Sequence, residues 1–146
     1  MSKGSSAQSG GLTGIWNGSY GYDNIADMPD NAFVAILIES GGSLSGTVHE
    51  ALRLTDGSVH DANATLRGER QGEEVDFVKT YGDMLSWMSS IAYVGTLSPD
   101  GNLIDGHWHI LSKHGTFVGR FVMTRNLRPE QAKATTAKTV KISSKL

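Results

Sequence analysis

Glu50 and Lys79 are the residues most able to do chemistry in this chain, because of where they stand. Each falls on the apolar side of an alternating segment: Leu44, Gly46, Val48, Glu50, Leu52 in one, and Val75, Phe77, Lys79, Tyr81 in the other. In a β-strand, residues two apart share a face. A carboxylate and an ammonium on the inner faces of strands must find partners, change protonation or reach water. Two outcomes are open: the side chains meet across a narrow interior, or each sits at an opening and touches water. Glu50 with Tyr20, Tyr22 and Tyr93 is also the equipment of a general acid-base site.

The aromatics follow the same alternation. In "GIWNGSYGY", Trp16, Tyr20 and Tyr22 share a face with Gly18, and further on Phe77, Tyr93 and Trp108 fall on the corresponding face. Buried tyrosine hydroxyls need hydrogen-bond partners, and four tyrosines are many for a dry core. Glycines 18, 46, 68, 95, 106 and 119 lie on that face as well. They are expected to relieve crowding and to leave room. The expectation is a cavity lined by aromatic walls with polar tips, as small-ligand pockets are. Its ligand-binding residues would be Trp16, Tyr20, Tyr22, Glu50, Phe77, Lys79, Tyr93 and Trp108, with Glu50 favouring a ligand that carries a cation or a hydrogen-bond donor.

The histidines do not assemble into a metal set. His107 and His109 share an outward face with Asp105, while His49 points outward from a strand on the opposite wall. They read as surface or interface residues. With no Cys, neither a disulfide framework nor a thiolate site is possible. There is no P-loop, GxGxxG, HExxH or GxSxG motif. No metal, no cofactor and no catalytic residue is expected.

These positions need strands to hold them. Eight strand-like runs span 12–22, 32–40, 44–54, 62–70, 74–81, 91–97, 103–111 and 116–125. Most are separated by turn residues such as Gly41-Gly42, Asp56-Gly57, Gln71-Gly72, Pro99-Asp100-Gly101-Asn102 and His114-Gly115. Short links make consecutive strands antiparallel neighbours. The fold class is therefore all-β: an eight-stranded antiparallel up-and-down meander barrel, whose interior is just wide enough for side chains or one small ligand. Two links are longer, DNIADMPDN and GDMLSWMSS, and the second is expected to form a short helix or a lid.

The 146 residues divide into a flexible leader at 1–11, the barrel domain at 12–125 and a basic, flexible tail at 126–146, with a short helix expected over 129–137. The tail carries +4, whereas residues 12–125 hold 7 basic against 14 acidic side chains. An acidic body makes nucleic acid an unsuitable partner. The longest apolar run, AFVAILI, is far too short to span a membrane as a helix, and no signal peptide is visible, so a soluble cytoplasmic protein is expected. That run is apolar on both faces, with Val34, Ile36 and Ile38 outward, and His107, Val118 and Val122 point outward elsewhere. A homo-oligomer, or the tail, is expected to cover it.

In its beads "GIWNG", "GGSLSGTVHEA", "VDFVKTY", "IAYVGTL" and "IDGHWHI", the chain resembles the calycin superfamily of small β-barrels, most of all the avidin and streptavidin group. A generic lipocalin-like domain is a close second. The resemblance covers residues 12–125 and implies a barrel that holds a small aromatic or amphipathic molecule. Trp108 matches a biotin-stacking Trp, and Phe77 and Tyr93 stand where the group has tryptophans. Val48 and Glu50 replace a Tyr and a Ser that bind the biotin head, and the last strand lacks the Asp for the ureido nitrogen, so biotin is expected to bind weakly or not at all. The same superfamily includes acid-base enzymes such as phenolic acid decarboxylases, which makes a lyase or isomerase using Glu50 and the tyrosines the alternative.

Overall fold

A computed structural model describes residues 11–53, 56–82, 90–112 and 115–127. Eight strands are present: β1 (Gly14–Tyr22), β2 (Asn31–Ser40), β3 (Ser43–Arg53), β4 (Val59–Gln71), β5 (Glu74–Tyr81), β6 (Ser90–Leu97), β7 (Leu103–Ser112) and β8 (Gly115–Arg125). They pair antiparallel in chain order, and β1 closes the ring by pairing with β8. Closure leaves no free sheet edge. Among the described residues there is no helix long and apolar enough to cross a membrane. The link over 83–89, the leader to residue 10 and the tail from 128, with its expected helix, lie outside the described residues.

The alternation runs through most strands and blurs in β1 and at the start of β8. β2 and β5 run strictly buried, exposed, buried, exposed over most of their length, because one face of each strand must leave water while the other stays in it. Trp16 and Trp108 are both inside, at 0% and 3% exposure. The outer row of β2 remains exposed in the single chain: Val34, Ile36 and Ile38 are 41%, 50% and 54% exposed, and Ile15, paired with Ile36, is 45% exposed.

One end of the barrel is plugged. The chain does not extend β1 back to Leu12, as the hydrophobic pattern suggests. Gly14 has φ 149°, a value that side chains disfavour, and the chain turns there. Leu12 then crosses the barrel end, fully buried. Trp16 Nε1 donates to Leu12 O at 2.9 Å, and Glu39 Oε1 accepts from Leu12 N at 2.8 Å. The Arg125 guanidinium lies over the Trp16 ring at 4.6 Å and donates to the carbonyls of Gly11, Thr13 and Gly101. Stacking and a three-way fork are geometries suited to Arg rather than Lys.

The inward glycines do not leave empty volume. Gly18, Gly68 and Gly119 pair across the ladder with Phe33, Phe77 and Trp108, and Gly106 pairs with Phe121. At Gly18 and Gly119 the partner's ring lies over the glycine, and at Gly68 the Phe77 Cα and Cβ crowd it. A Cβ on Gly18 would stand 2.3 Å from Phe33 Cζ, one on Gly68 2.6 Å from Phe77 Cβ, and one on Gly119 2.6 Å from the Trp108 ring. On Gly106 it would meet Val94 O at 2.0 Å. Glycine here admits a ring or a neighbouring strand, and the space is used. Gly119→Ala, whose Cβ would also lie 1.8 Å from Gly21 O, is expected to cost about 1–3 kcal/mol through overpacking. Gly82→Ala, with nothing within 4 Å, is the control and should be near neutral. Urea denaturation of the two variants checks this.

Candidate functional site

Glu50 on β3 and Lys79 on β5 are separated in the ring by β4. Both are 2% exposed, and they meet inside the barrel, Lys79 Nζ to Glu50 Oε1 at 3.0 Å. The reading in which each sits at an opening in water is therefore wrong. Curvature brings alternate strands of a narrow barrel within reach of long side chains.

The carboxylate has further partners. Tyr20 Oη donates to Glu50 Oε2 at 2.5 Å and Tyr81 Oη donates to the same oxygen at 2.8 Å. Lys79 Nζ lies 4.5 Å, 4.7 Å and 5.3 Å from the ring centroids of Tyr20, Tyr81 and Tyr93. The ammonium is thus held by one carboxylate and three π faces, a favourable setting for a desolvated cation. Burial is the largest force raising the Tyr20, Tyr81 and Tyr93 pKa values above the ordinary 10, and the Glu50 charge raises all three further. Lys79 opposes the rise at Tyr81.

This arrangement does not support the acid-base alternative: Glu50 is buried and held by three donors, and tyrosines pushed above 10 are poorer acids at neutral pH. Lys79 also occupies the place beside Glu50 that a cationic ligand would need.

Below the network, toward the plugged end, the interior is packed rings. Phe77 and Tyr93 stack at 5.0 Å with planes 14° apart, and Phe121 stands edge-on to both. Phe77, Tyr93 and Trp16 are core residues, with exposures of 0–5%. Above it, the opposite end is left open by the described residues. Tyr22 and Phe117 face inward but are only partly buried. Tyr22 packs edge-on against Trp108 at 5.0 Å, and Trp108 Nε1 donates to Gly21 O at 3.0 Å. Of the eight residues expected to form a site, Tyr20, Tyr22, Glu50, Lys79 and Trp108 gather at or just under this open end, whereas Trp16, Phe77 and Tyr93 support it from within.

Three residues were absent from the expected set, Phe117 on β8 among them. Tyr81 lies on the correct face of β5 and completes the carboxylate's partners. Asn31 opens β2, one residue earlier than the hydrophobic run implies, and is 2% exposed. Its pairing with Tyr20 across β1 and β2 places it at the open end. The signal available was phase: Asn31 precedes Phe33, Ala35 and Leu37 by steps of two.

The outer wall carries two concavities, of 680 Å³ across β6–β7–β8–β1 and 480 Å³ across β2–β5. His107 borders the first and His49 the second, where its Nδ1 pairs with Asn63 Oδ1 at 2.6 Å. The histidines thus stand on different walls, as their phases imply, and no group of metal-ligating residues forms among the described residues.

No protein-family model matches the chain, and no curated protein matches it. Among solved structures it is similar to lobster apocrustacyanin A1, at 15% identity and a TM-score of 0.47, over 91% of this chain and 72% of that one. It is also similar to apocrustacyanin C2, at 16% identity and a TM-score of 0.47, over 94% of this chain and 76% of that one. Nothing about the site follows from likenesses of that size.

Removing one member of the buried pair should be costly. Lys79→Met leaves an uncompensated carboxylate and is expected to lose about 3–5 kcal/mol, whereas Glu50→Leu combined with Lys79→Met should recover most of that loss. Denaturation midpoints of the two single variants and the double variant test the coupling. The tyrosines set an alkaline limit. Their folded pKa values lie above the unfolded value of 10, so above pH 10 the unfolded chain releases protons that the folded chain keeps. The tyrosines' contribution to stability is complete below pH 10 and falls as pH rises beyond it. Denaturation midpoints measured across this range should show that fall, and Tyr20→Phe should make it shallower.

Proposed function

We propose that the chain is a small-molecule-binding barrel that takes a flat, mainly apolar ligand at its open end, above the Glu50–Lys79 network. The observation that carries this reading is that Tyr22, edge-on to Trp108, and Phe117 on β8 face inward yet are only partly buried. Large rings that line a barrel and are not covered by its own core offer apolar walls to a partner of similar shape. The polar network beneath is already satisfied, so it acts as a rigid floor rather than as a binding group. The ligand contacts are Tyr22, Phe117 and Trp108, with Tyr20 and Tyr81 below them.

The likeness of the beads to the avidin group fits a ligand-holding barrel but not biotin. Glu50, at the position of a biotin-head contact, is committed to Lys79 and two tyrosines. Displacing that set to admit a polar head would leave buried charge unpaired.

The exposed row Ile15, Val34, Ile36 and Ile38 supports an assembly reading. A closed barrel has no edge to extend, so contact must be face to face. The outward residues on β3 paired with Ile38 and Ile36, Ser45 and Thr47, are neutral, and Val34 pairs with His49. We infer a homodimer through this wall.

Tryptophan fluorescence should report binding of polycyclic aromatic probes with an affinity reduced about tenfold or more by Tyr22→Ala and by Phe117→Ala. Biotin should produce no change. Probe affinities indifferent to both substitutions would refute the open-end site. Sedimentation at micromolar concentration should show a dimer that Ile36→Lys converts to a monomer; a monomeric wild type would refute the assembly.

A further inference from the structure

We propose that the ligand at the open end carries a neutral carbonyl oxygen beside its aromatic part, and that Asn31 Nδ2 donates a hydrogen bond to it. The inference rests on the binding reading above and adds the chemical class of the ligand's polar group.

Asn31 is the first residue of β2 and stands on its barrel-lining face, 2% exposed. Its Oδ1 accepts from Arg53 N at 3.2 Å, where β3 ends beside it. That contact orients the amide, since only the oxygen can face an N–H donor. The NH2 group is then the free end. Nδ2 is the one buried side-chain polar atom without a hydrogen-bond partner among the described residues. Every comparable group nearby is satisfied: the Tyr20 and Tyr81 hydroxyls and Lys79 by Glu50, and Trp108 Nε1 by Gly21 O. In a barrel that pairs its polar atoms this thoroughly, a buried donor with nothing to donate to is a standing cost to the folded state. A ligand oxygen removes that cost.

The position fits. Asn31 lies opposite Tyr20 in the ladder, and Tyr20 packs against both Tyr22 and Trp108. A ring seated against Tyr22 and Trp108 would place a substituent on its edge toward Asn31. The chemistry of the donor also selects. A neutral N–H rewards an acceptor, while an ammonium or a hydroxyl presented as donor finds no acceptor there. Residues 12–125 carry twice as many acidic as basic side chains, 14 against 7, and Lys79, the buried cation, is neutralised by Glu50. The surroundings therefore favour a ketone, ester or amide oxygen over a carboxylate.

The test uses three probes of one shape: 2-acetylnaphthalene, 2-ethylnaphthalene and 2-naphthoate. Calorimetric titration of the wild-type protein should show the ketone binding about tenfold tighter than the hydrocarbon, and tighter than the carboxylate. Asn31→Leu should abolish that preference, bringing the ketone-to-hydrocarbon affinity ratio from about tenfold to about one. A second readout needs no variant to fold: in the amide NMR spectrum of the wild type, the Asn31 side-chain NH2 pair should shift with the ketone and stay still with the hydrocarbon. Equal affinity for ketone and hydrocarbon with an unmoved Asn31 signal would overturn this inference and leave the open-end site standing. Tighter binding of naphthoate would overturn the neutral-carbonyl assignment in favour of an anion. No binding of any probe would overturn the binding reading and this inference together.

Discussion

The interior of this barrel is organised around one buried carboxylate. Glu50 has left water, and an isolated carboxylate in such a place would be prohibitively unstable. It is tolerated because Lys79 neutralises it and because Tyr20 and Tyr81 donate to it. Those partners come from β1 and β5, neither of which neighbours β3 in the ring. The network is therefore a set of struts across the lumen, where the ladder hydrogen bonds act only along the wall. A register slip in β1 or β3 would turn one member of the network outward, and one in β5 would turn out both Lys79 and Tyr81, stranding the rest. Buried polar groups of this kind are a poor source of net stability but a strong discriminator between registers.

The rest of the core follows from what that network leaves over. On the plugged side, the Phe77, Tyr93 and Phe121 rings pack together and Arg125 closes the end over Trp16. On the open side, Tyr22 and Phe117 are the rings that the core does not cover. The glycines and the aromatics thus belong to one packing device, which reaches the open end at Gly119 and Trp108. Binding at the open end and a well-packed lower barrel are compatible, and the satisfied polar layer is the boundary between them.

Much of this was legible in the residues. The period of two, together with Gly-rich turns, placed eight strands with boundaries within about three residues, and it put Trp16, Glu50, Lys79 and Trp108 on the inner face. A closed meander makes that possible, because every strand has one wet and one dry face and neighbours follow chain order. Three things were not legible. Whether Glu50 and Lys79 met or parted depended on lumen width, a non-local quantity. Inward glycines marked places without a side chain, but alternation alone does not say which neighbouring ring fills them. Asn31 was lost to the preceding link because a polar residue at a strand end breaks the apolar pattern that defines the strand.

The central claim is that Lys79 is enclosed with Glu50 under a cover of tyrosine rings. It is tested most directly by nitrogen-detected NMR of the lysine ammonium groups. The account predicts one ammonium, assigned to Lys79, whose protons exchange with water much more slowly than those of exposed lysines and show through-space contacts to the Tyr20, Tyr81 and Tyr93 rings. A Lys79 ammonium that exchanges as fast as a surface lysine and shows no ring contacts would contradict it.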